Sequence, residues 1–266
     1  MPVEPMPTVC LTNDDGPSSI GLLRLAETLT PKVGLTVVVP NQQRSGASKA
    51  LTLGRPLRIV SDVNTGSYRM IVHDGFPADS VIIALSLVKK VDLFVSGINS
   101  GANVGYHRML TSGTVGAIFE AALQGYPGIA LSYSADPVHW FTEAGVSEGI
   151  EHVCHTSARL IDYTLKHRLP SGVDGLNVNF PAAYSGQSRL VVVEPSDFVV
   201  RNKLEKRLDP YDKPYYWIRG GEKFSDESHD AKEVSRNGNI TVSPIVIRSV
   251  ITEHTERTRL FLKDLF

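Results

Sequence analysis

The sequence predicts an α/β fold with a mostly parallel sheet, and three observations support this prediction. Apolar runs of strand length recur along the 266 residues, and most are continuous, which is typical of strands covered on both faces. Segments with helical periodicity separate several of these runs. With 42% hydrophobic and 21% charged residues, the chain can bury a full core. Together they indicate βαβ units in one domain with additions.

The strands and helices follow one another in the order that βαβ units require. Three helices are predicted over 21–29, 78–88 and 114–124, because apolar residues recur on one face and a proline or glycine marks an end. Six strands are predicted, in the runs TVCLT from Thr8, LTVVV from Leu35, DLFVS from Asp92, GIALS from Gly128, LNVNF from Leu176 and LVVV from Leu190.

The composition changes after residue 195, which we take as the end of the core, 1–195. Residues 196–244 combine a charged stretch, RNKLEKRLDPYDK, with the aromatic run YYW, and we expect an extension of hairpins and loops. An aromatic run in a polar stretch needs a surface to pack on, in the same subunit or another. Residues 245–266 are predicted to form a strand and a helical arm.

Charge and hydropathy restrict the partners of the chain. A net charge of −1 offers no broad cationic field for polymeric nucleic acid, so a small ligand is favoured. No run approaches the roughly 18 to 20 apolar residues that span a bilayer, and the start lacks a signal core, so we expect a cytoplasmic protein without membrane contact. Cys10 lies in an apolar strand, where a buried, inert thiol is expected.

Four polar stretches follow predicted strands or begin a predicted helix. Open α/β sheets bind ligands at the carboxyl ends of their strands, so these stretches are the candidate site. All four are small, polar and rich in glycine or asparagine: NDDG at 13–16, PNQQRSG at 40–46, GINSGAN at 97–103 and TSGTVG at 111–116.

Asp14 and Asp15 place two carboxylates side by side where the first strand ends. Their repulsion is relieved by a hard divalent cation such as Mg²⁺ or Mn²⁺, which prefers oxygen ligands and keeps positions for water or substrate oxygens. An ordinary turn would explain the same letters. Ser112, Gly113 and Thr114 have two interpretations as well: a plain helix N-cap, or an anion site formed by free N–H groups and the helix dipole.

These motifs resemble the survival protein SurE family of metal-dependent phosphatases that act on nucleoside monophosphates. The resemblance covers nearly the whole chain, through TNDDG at 12–16, RSGAS at 44–48, VSGINSGANVG at 95–105, TSGTVGAIFEA at 111–121, PYYWI at 214–218 and VSPI at 242–245.

The resemblance implies a fold, a site and an assembly. It implies a three-layer, Rossmann-like core with a β-hairpin extension and a C-terminal arm exchanged in homodimers or homotetramers. One divalent cation per subunit would be held by Asp14, Asp15, Ser45 and Asn99, with Asp14, Asp15 and Asn99 catalytic. The phosphate would lie near Asn99, Ser112, Gly113 and Thr114, and further substrate contacts are predicted for Asn13, Asn103 and His107.

The chain departs from the family pattern in three places. Ala47-Ser48-Lys49 stands where many members have Gly-His-Ser, and Thr111 stands where Tyr or His is common. Val250 replaces the Asp of a C-terminal Asp-Leu-Thr-x-His motif that Thr252-Glu253-His254 partly matches.

The predicted reaction is hydrolysis of a phosphomonoester, either by a metal-bound water that Asp14 or Asp15 activates or by direct attack of one Asp to give an aspartyl phosphate. Three alternatives compete. A zinc site could involve His152 and His155, although no third ligand is evident. A protein of the same fold could sense nucleotide or phosphate without turnover. A dinucleotide oxidoreductase fits poorly, because the first strand leads into NDDG rather than G-x-G-x-x-G.

Overall fold

The chain winds through a central sheet with helices on both faces. The structure is a computed structural model that describes residues 6–134, 148–220, 223–224, 229–247, 258–259 and 262. Within these residues the main sheet has nine strands: β1 (Thr8–Thr12), β2 (Gly34–Pro40), β3 (Ile59–Asn64), β4 (Arg69–His73), β5 (Leu93–Ser100), β6 (Gly128–Tyr133), β7 (Gly175–Phe180), β8 (Leu190–Val192) and β13 (Ile240–Ile245).

The sheet has a parallel centre and mixed edges. Its strand order is β3-β4-β2-β1-β5-β6-β7-β13-β8, and the six strands from β4 to β7 in this order run parallel. β3 is antiparallel to β4 at one edge. At the other edge β13 is antiparallel to β7 and parallel to β8. The prediction of a mostly parallel α/β fold is therefore confirmed.

Four helices form the two outer layers, because each buries apolar side chains against the sheet. The described helices are α1 (Ile20–Leu29), α2 (Pro77–Leu87), α3 (Gly105–Thr111), α4 (Gly113–Leu123), α5 (Glu148–His167) and α6 (His229–Ser235). α1 and α5 pack together against one face, and α2 and α4 against the other. On α1, Leu22, Leu25 and Leu29 lie three and four residues apart and are completely or almost completely buried.

The extension contains more than the predicted hairpins and loops. Two small sheets pair β9 (Val199–Val200) with β12 (Lys223–Phe224), and β10 (Lys203–Leu208) with β11 (Pro214–Arg219). The aromatic side chains of Tyr215, Tyr216 and Trp217 on β11 are exposed. The helix α6 was not predicted, and the strand after it, β13, returns to the main sheet.

Most of the predicted C-terminal arm lies outside the described residues, and so do Val250 and the Thr252-Glu253-His254 segment. Among the helices of the described residues, none is long and apolar enough to cross a membrane.

Candidate functional site

The turn after β1 buries both predicted carboxylates. Asp14 is 3% exposed and Asp15 is 6% exposed. Asn13 braces this turn: its Nδ2 donates to the Gly16 carbonyl at 2.9 Å, and the Gly16 N–H donates to Asn13 Oδ1 at 3.1 Å. Gly16 adopts a φ of +93°, which a glycine tolerates without strain. Both ends of the Asn13 amide group are thus used inside the turn, although a substrate contact was predicted for it.

Asp14 lies against the start of α4. The Thr114 hydroxyl donates to Asp14 Oδ1 at 2.5 Å, and Thr114 is completely buried. A Cβ on Gly113 would lie 2.8 Å from the Asp14 Cβ, so only glycine allows this approach. Burial raises the pKa of the Asp14 carboxyl above its ordinary 3.8, while the Thr114 hydroxyl and backbone groups of Gly113 and Thr114 act to lower it. A bound cation would stabilise the charged form of the Asp14 carboxyl.

Asp15 connects two further loops. Its Oδ1 accepts from Gln43 Nε2 at 3.3 Å, and its Oδ2 accepts from the Ser100 N–H at 3.4 Å. Gln43 belongs to the loop after β2, and Ser100 ends β5. The structure therefore brings together three of the polar stretches that the sequence singled out, around one pair of carboxylates.

Asn99 lies near the end of β5 with its amide nitrogen engaged. The Nδ2 group donates to the Gly101 carbonyl at 2.7 Å and to the Ser100 carbonyl at 3.3 Å. These bonds use the nitrogen end of the side chain, so its oxygen is the end that suits a cation. The neighbouring Ser100 hydroxyl is buried and has no hydrogen-bond partner within the described structure. A buried hydroxyl without a partner beside Asp15 is the kind of group that a bound ion or water would satisfy.

Ser45 lies in the loop after β2, and its side chain is exposed. This loop is tied to the turn after β1 by the Arg44 N–H, which donates to the Asp14 carbonyl at 2.7 Å. The Arg44 guanidinium donates to the Asp74 carbonyl at 2.9 Å and lies over the Phe76 ring, 5.2 Å from its centroid. Ser45 is the next residue in the chain after Arg44, which makes these contacts.

Ser112 acts as the N-cap of α4. Its hydroxyl accepts from the Val115 N–H at 3.2 Å, so this residue satisfies the cap interpretation. The same helix start also meets an anion, because the Asp14 carboxylate lies against Thr114 and Gly113.

Asn103 and His107 occupy different surroundings. The Asn103 Nδ2 donates to Ser132 Oγ at 2.9 Å, and its N–H donates to Asn179 Oδ1 at 2.7 Å, within a buried polar network behind the loop. His107 is half-buried on α3. Their predicted substrate contacts stay predictions.

The contacts of Gln43 and Ser100 with Asp15 were not predicted, and the only signal for these two residues was their place in the polar stretches.

The donor set fits a hard divalent cation. Two carboxylates, a side-chain amide oxygen and a hydroxyl are all oxygen donors, as Mg²⁺ or Mn²⁺ prefers. In the described part of the chain, no three His, Cys, Asp or Glu side chains cluster as a metal site. The histidines of the zinc alternative, His152 and His155, are exposed on α5. Carboxylates and neutral oxygens are the donors that Asp14, Asp15, Asn99 and Ser45 offer.

Comparison with known proteins gives a consistent result. A family model described as survival protein SurE matches residues 9–198. The 5'-nucleotidase SurE of Thermofilum pendens is 34% identical over 249 residues, covering 93% of this chain and 94% of the relative. That of Archaeoglobus fulgidus is 37% identical over 241 residues, covering 90% and 91%. The crystal structure of the SurE protein from Aquifex aeolicus superposes with a TM-score of 0.75 at 29% identity, covering 96% of this chain and 99% of that one.

Proposed function

The chain belongs to the survival protein SurE family, and on that premise we propose that it is a divalent-metal-dependent phosphomonoesterase that hydrolyses nucleoside monophosphates. The observation that carries the proposal is the buried Asp14–Asp15 pair, which the start of α4 contacts at Asp14 and the end of β5 contacts at Asp15. The names of the curated relatives, 5'-nucleotidase SurE, support the substrate class.

Asp14, Asp15, Asn99 and Ser45 would hold one Mg²⁺ or Mn²⁺ ion. When bound, the cation would polarise a phosphate oxygen and offset the negative charge of the transition state. The contribution of the protein's own residues is to hold these groups in position. Thr114 fixes one oxygen of Asp14, which makes Asp14 better suited to a fixed ligand than to a mobile nucleophile.

The start of α4 would receive the phosphate. The N–H groups of Gly113 and Thr114 lie at this helix start beside Asp14, and the helix dipole favours negative charge there. Asn99 would offer its amide oxygen to the cation, because its nitrogen donates to the Ser100 and Gly101 carbonyls. Because Gln43 and the Ser100 N–H hold both oxygens of Asp15 as well, the attack on phosphorus is then left to a water molecule.

The direct test is phosphate release from nucleoside 5'- and 3'-monophosphates and from an aryl phosphate, with Mg²⁺, with Mn²⁺ and with chelator. We expect turnover that chelator abolishes. Asp14→Asn should reduce it by about a thousandfold or more, on the scale of removing a catalytic charge. Asp62→Asn is the matched control, because Asp62 lies on the exposed strand β3 and its carboxylate forms an ion pair with Arg69. Nucleotide binding without phosphate release would favour a sensor of the same fold instead.

We also propose a homodimer or homotetramer in which the extension lies at subunit contacts. An isolated two-stranded ribbon is marginal in water, and β10–β11 exposes apolar side chains such as Leu204, Trp217 and Ile218. A mass measurement in solution tests this. A fully active monomer would contradict it.

A further inference from the structure

One stripe of α4 supports the loop that carries Ser45. Gly113, Gly116 and Glu120 lie three and four residues apart, so they share a helix face. A Cβ on Gly113 would lie 3.2 Å from the Arg44 carbonyl oxygen, and a Cβ on Gly116 would lie 2.1 Å from that of Ser48. The loop backbone therefore rests directly on the helix at two points, where glycine alone leaves room.

An ion pair adds a third point on the same stripe. The Lys49 ammonium contacts Glu120 Oε2, with the Lys49 side chain 28% exposed and that of Glu120 4% exposed. The other oxygen, Oε1, accepts from Gln124 Nε2 at 2.7 Å. A carboxylate this deeply buried depends on its partner, because removing Lys49 would leave an uncompensated buried charge.

The loop is anchored on both sides of Ser45. Before it, the Arg44 N–H donates to the Asp14 carbonyl at 2.7 Å. After it, the Ser48 N–H donates to the Thr111 carbonyl at 3.0 Å. Lys49 directly follows Ser48 in the chain, and its ion pair with Glu120 holds this end of the loop against α4. The Ser45 side chain itself is exposed, and its place is therefore set by the anchors beside it.

We propose that Lys49 and Glu120 form a positioning pair that holds Ser45 at the carboxylate pair and thereby sets the affinity of the site for a divalent cation. The inference rests on the proposed function for the cation, but not on turnover. Neither residue touches the cation. They act through the loop, as partners behind a metal ligand do in general.

The experiment is a calorimetric titration of the full chain with Mn²⁺ alone. Lys49→Met should weaken binding about tenfold, the lower end of the effect of losing a group that orients a ligand. Glu120→Gln should weaken it similarly, and the double exchange Lys49→Glu with Glu120→Lys should restore most of the affinity. Lys90→Met is the matched control, because Lys90 pairs with Asp92 at 2.7 Å beside the amino end of β5. The Mn²⁺ affinity of this variant should equal that of the unaltered protein.

Thermal unfolding without metal separates positioning from stability. If Lys49→Met lowers the midpoint but leaves Mn²⁺ affinity unchanged, the pair is merely structural and the proposal is wrong, while the proposed function stands. If Lys90→Met weakens binding equally, the effect is not local and the proposal also fails. If the unaltered chain does not bind Mn²⁺, both proposals fall. Should Lys49→Met not fold, Glu120→Gln and the double exchange decide the question.

Discussion

Replacing Asp230 by alanine is expected to cost the protein a large part of its stability. Asp230 belongs to α6 and is completely buried. Its carboxylate accepts from the Gly105 N–H at 2.9 Å, and from the N–H and hydroxyl of Ser196 at 2.8 and 2.7 Å. It therefore joins the extension to the first residue of α3, the helix between two loops of the candidate site.

The expected magnitude follows from these three donors. Each buried donor left without a partner costs about 1–3 kcal/mol. The three share one acceptor and water can enter part of the space, so the sum is reduced to about 4 kcal/mol. That is a large fraction of the roughly 5–15 kcal/mol by which folded proteins are stable.

Urea unfolding monitored by circular dichroism measures the change. Asp209→Ala is the matched control: Asp209 also accepts two backbone N–H groups, from Tyr211 at 2.8 Å and Lys213 at 2.9 Å, but in the turn of the exposed hairpin. We expect the control to lose no more than about 1 kcal/mol. A loss for Asp230→Ala as small as that of the control would refute the reasoning.

Two further predictions concern buried titratable groups. Burial lowers the pKa of His73 to about 4 from 6.5, while its Nδ1 accepts from the Gly75 N–H and its Nε2 lies 2.7 Å from Ser80 Oγ. Since the unfolded chain binds this proton first, the free energy of unfolding should fall by about 3 kcal/mol as the pH drops from 6.5 toward 4. Urea titrations across that range should show a smaller fall for His73→Leu, and equal falls would contradict the assignment. Burial also raises the pKa of the Cys10 and Cys154 thiols, so Ellman's reagent should label them only as the chain unfolds, and rapid labelling of the folded protein would be inconsistent with this.

Much of the core was predictable because its signals are local. The helices predicted at 21–29, 78–88 and 114–124 are observed as Ile20–Leu29, Pro77–Leu87 and Gly113–Leu123. In each case an apolar stripe and a nearby proline or glycine set the bounds. Continuous apolar runs predicted buried parallel strands for the same reason. The prediction of burial is wrong for the run LVVV, because β8 is an exposed strand at the edge of the sheet.

Two of the elements that were not predicted, β3 and α6, depend on distant partners. β3 is almost wholly exposed and exists through its pairing with β4, so it carries no buried pattern. α6 buries two apolar side chains, Ala231 and Val234, which is too few to show a period. That β13 runs antiparallel to β7 cannot be read from composition, since an apolar run does not reveal its direction.

The candidate site divides along the same line. The carboxyl ends of strands in an open sheet lie at one edge, which is why the polar stretches at 13–16 and 97–103 could be grouped from the sequence. The selection of Asp14, Asp15 and Asn99 within them as one ligand set came from the resemblance to the SurE family. The bond from Thr114 to Asp14 joins residues 100 apart, and sequence cannot say which of several polar groups makes it. Asn103 likewise binds Ser132 and Asn179, whose proximity only the folded sheet creates.

The pairing of β8 with β13 has a consequence for how such chains diversify. The two strands are neighbours in the sheet although some 47 residues separate their ends, since β8 ends at Val192 and β13 begins at Ile240. The residues between β8 and β13 form an insertion at one edge of the sheet. Its length and sequence can change without shifting the register of the central strands. Among relatives, evolutionary change should therefore concentrate in this insertion and spare Ser196 and Asp230, which hydrogen-bond to each other and, through Asp230, to Gly105 of α3.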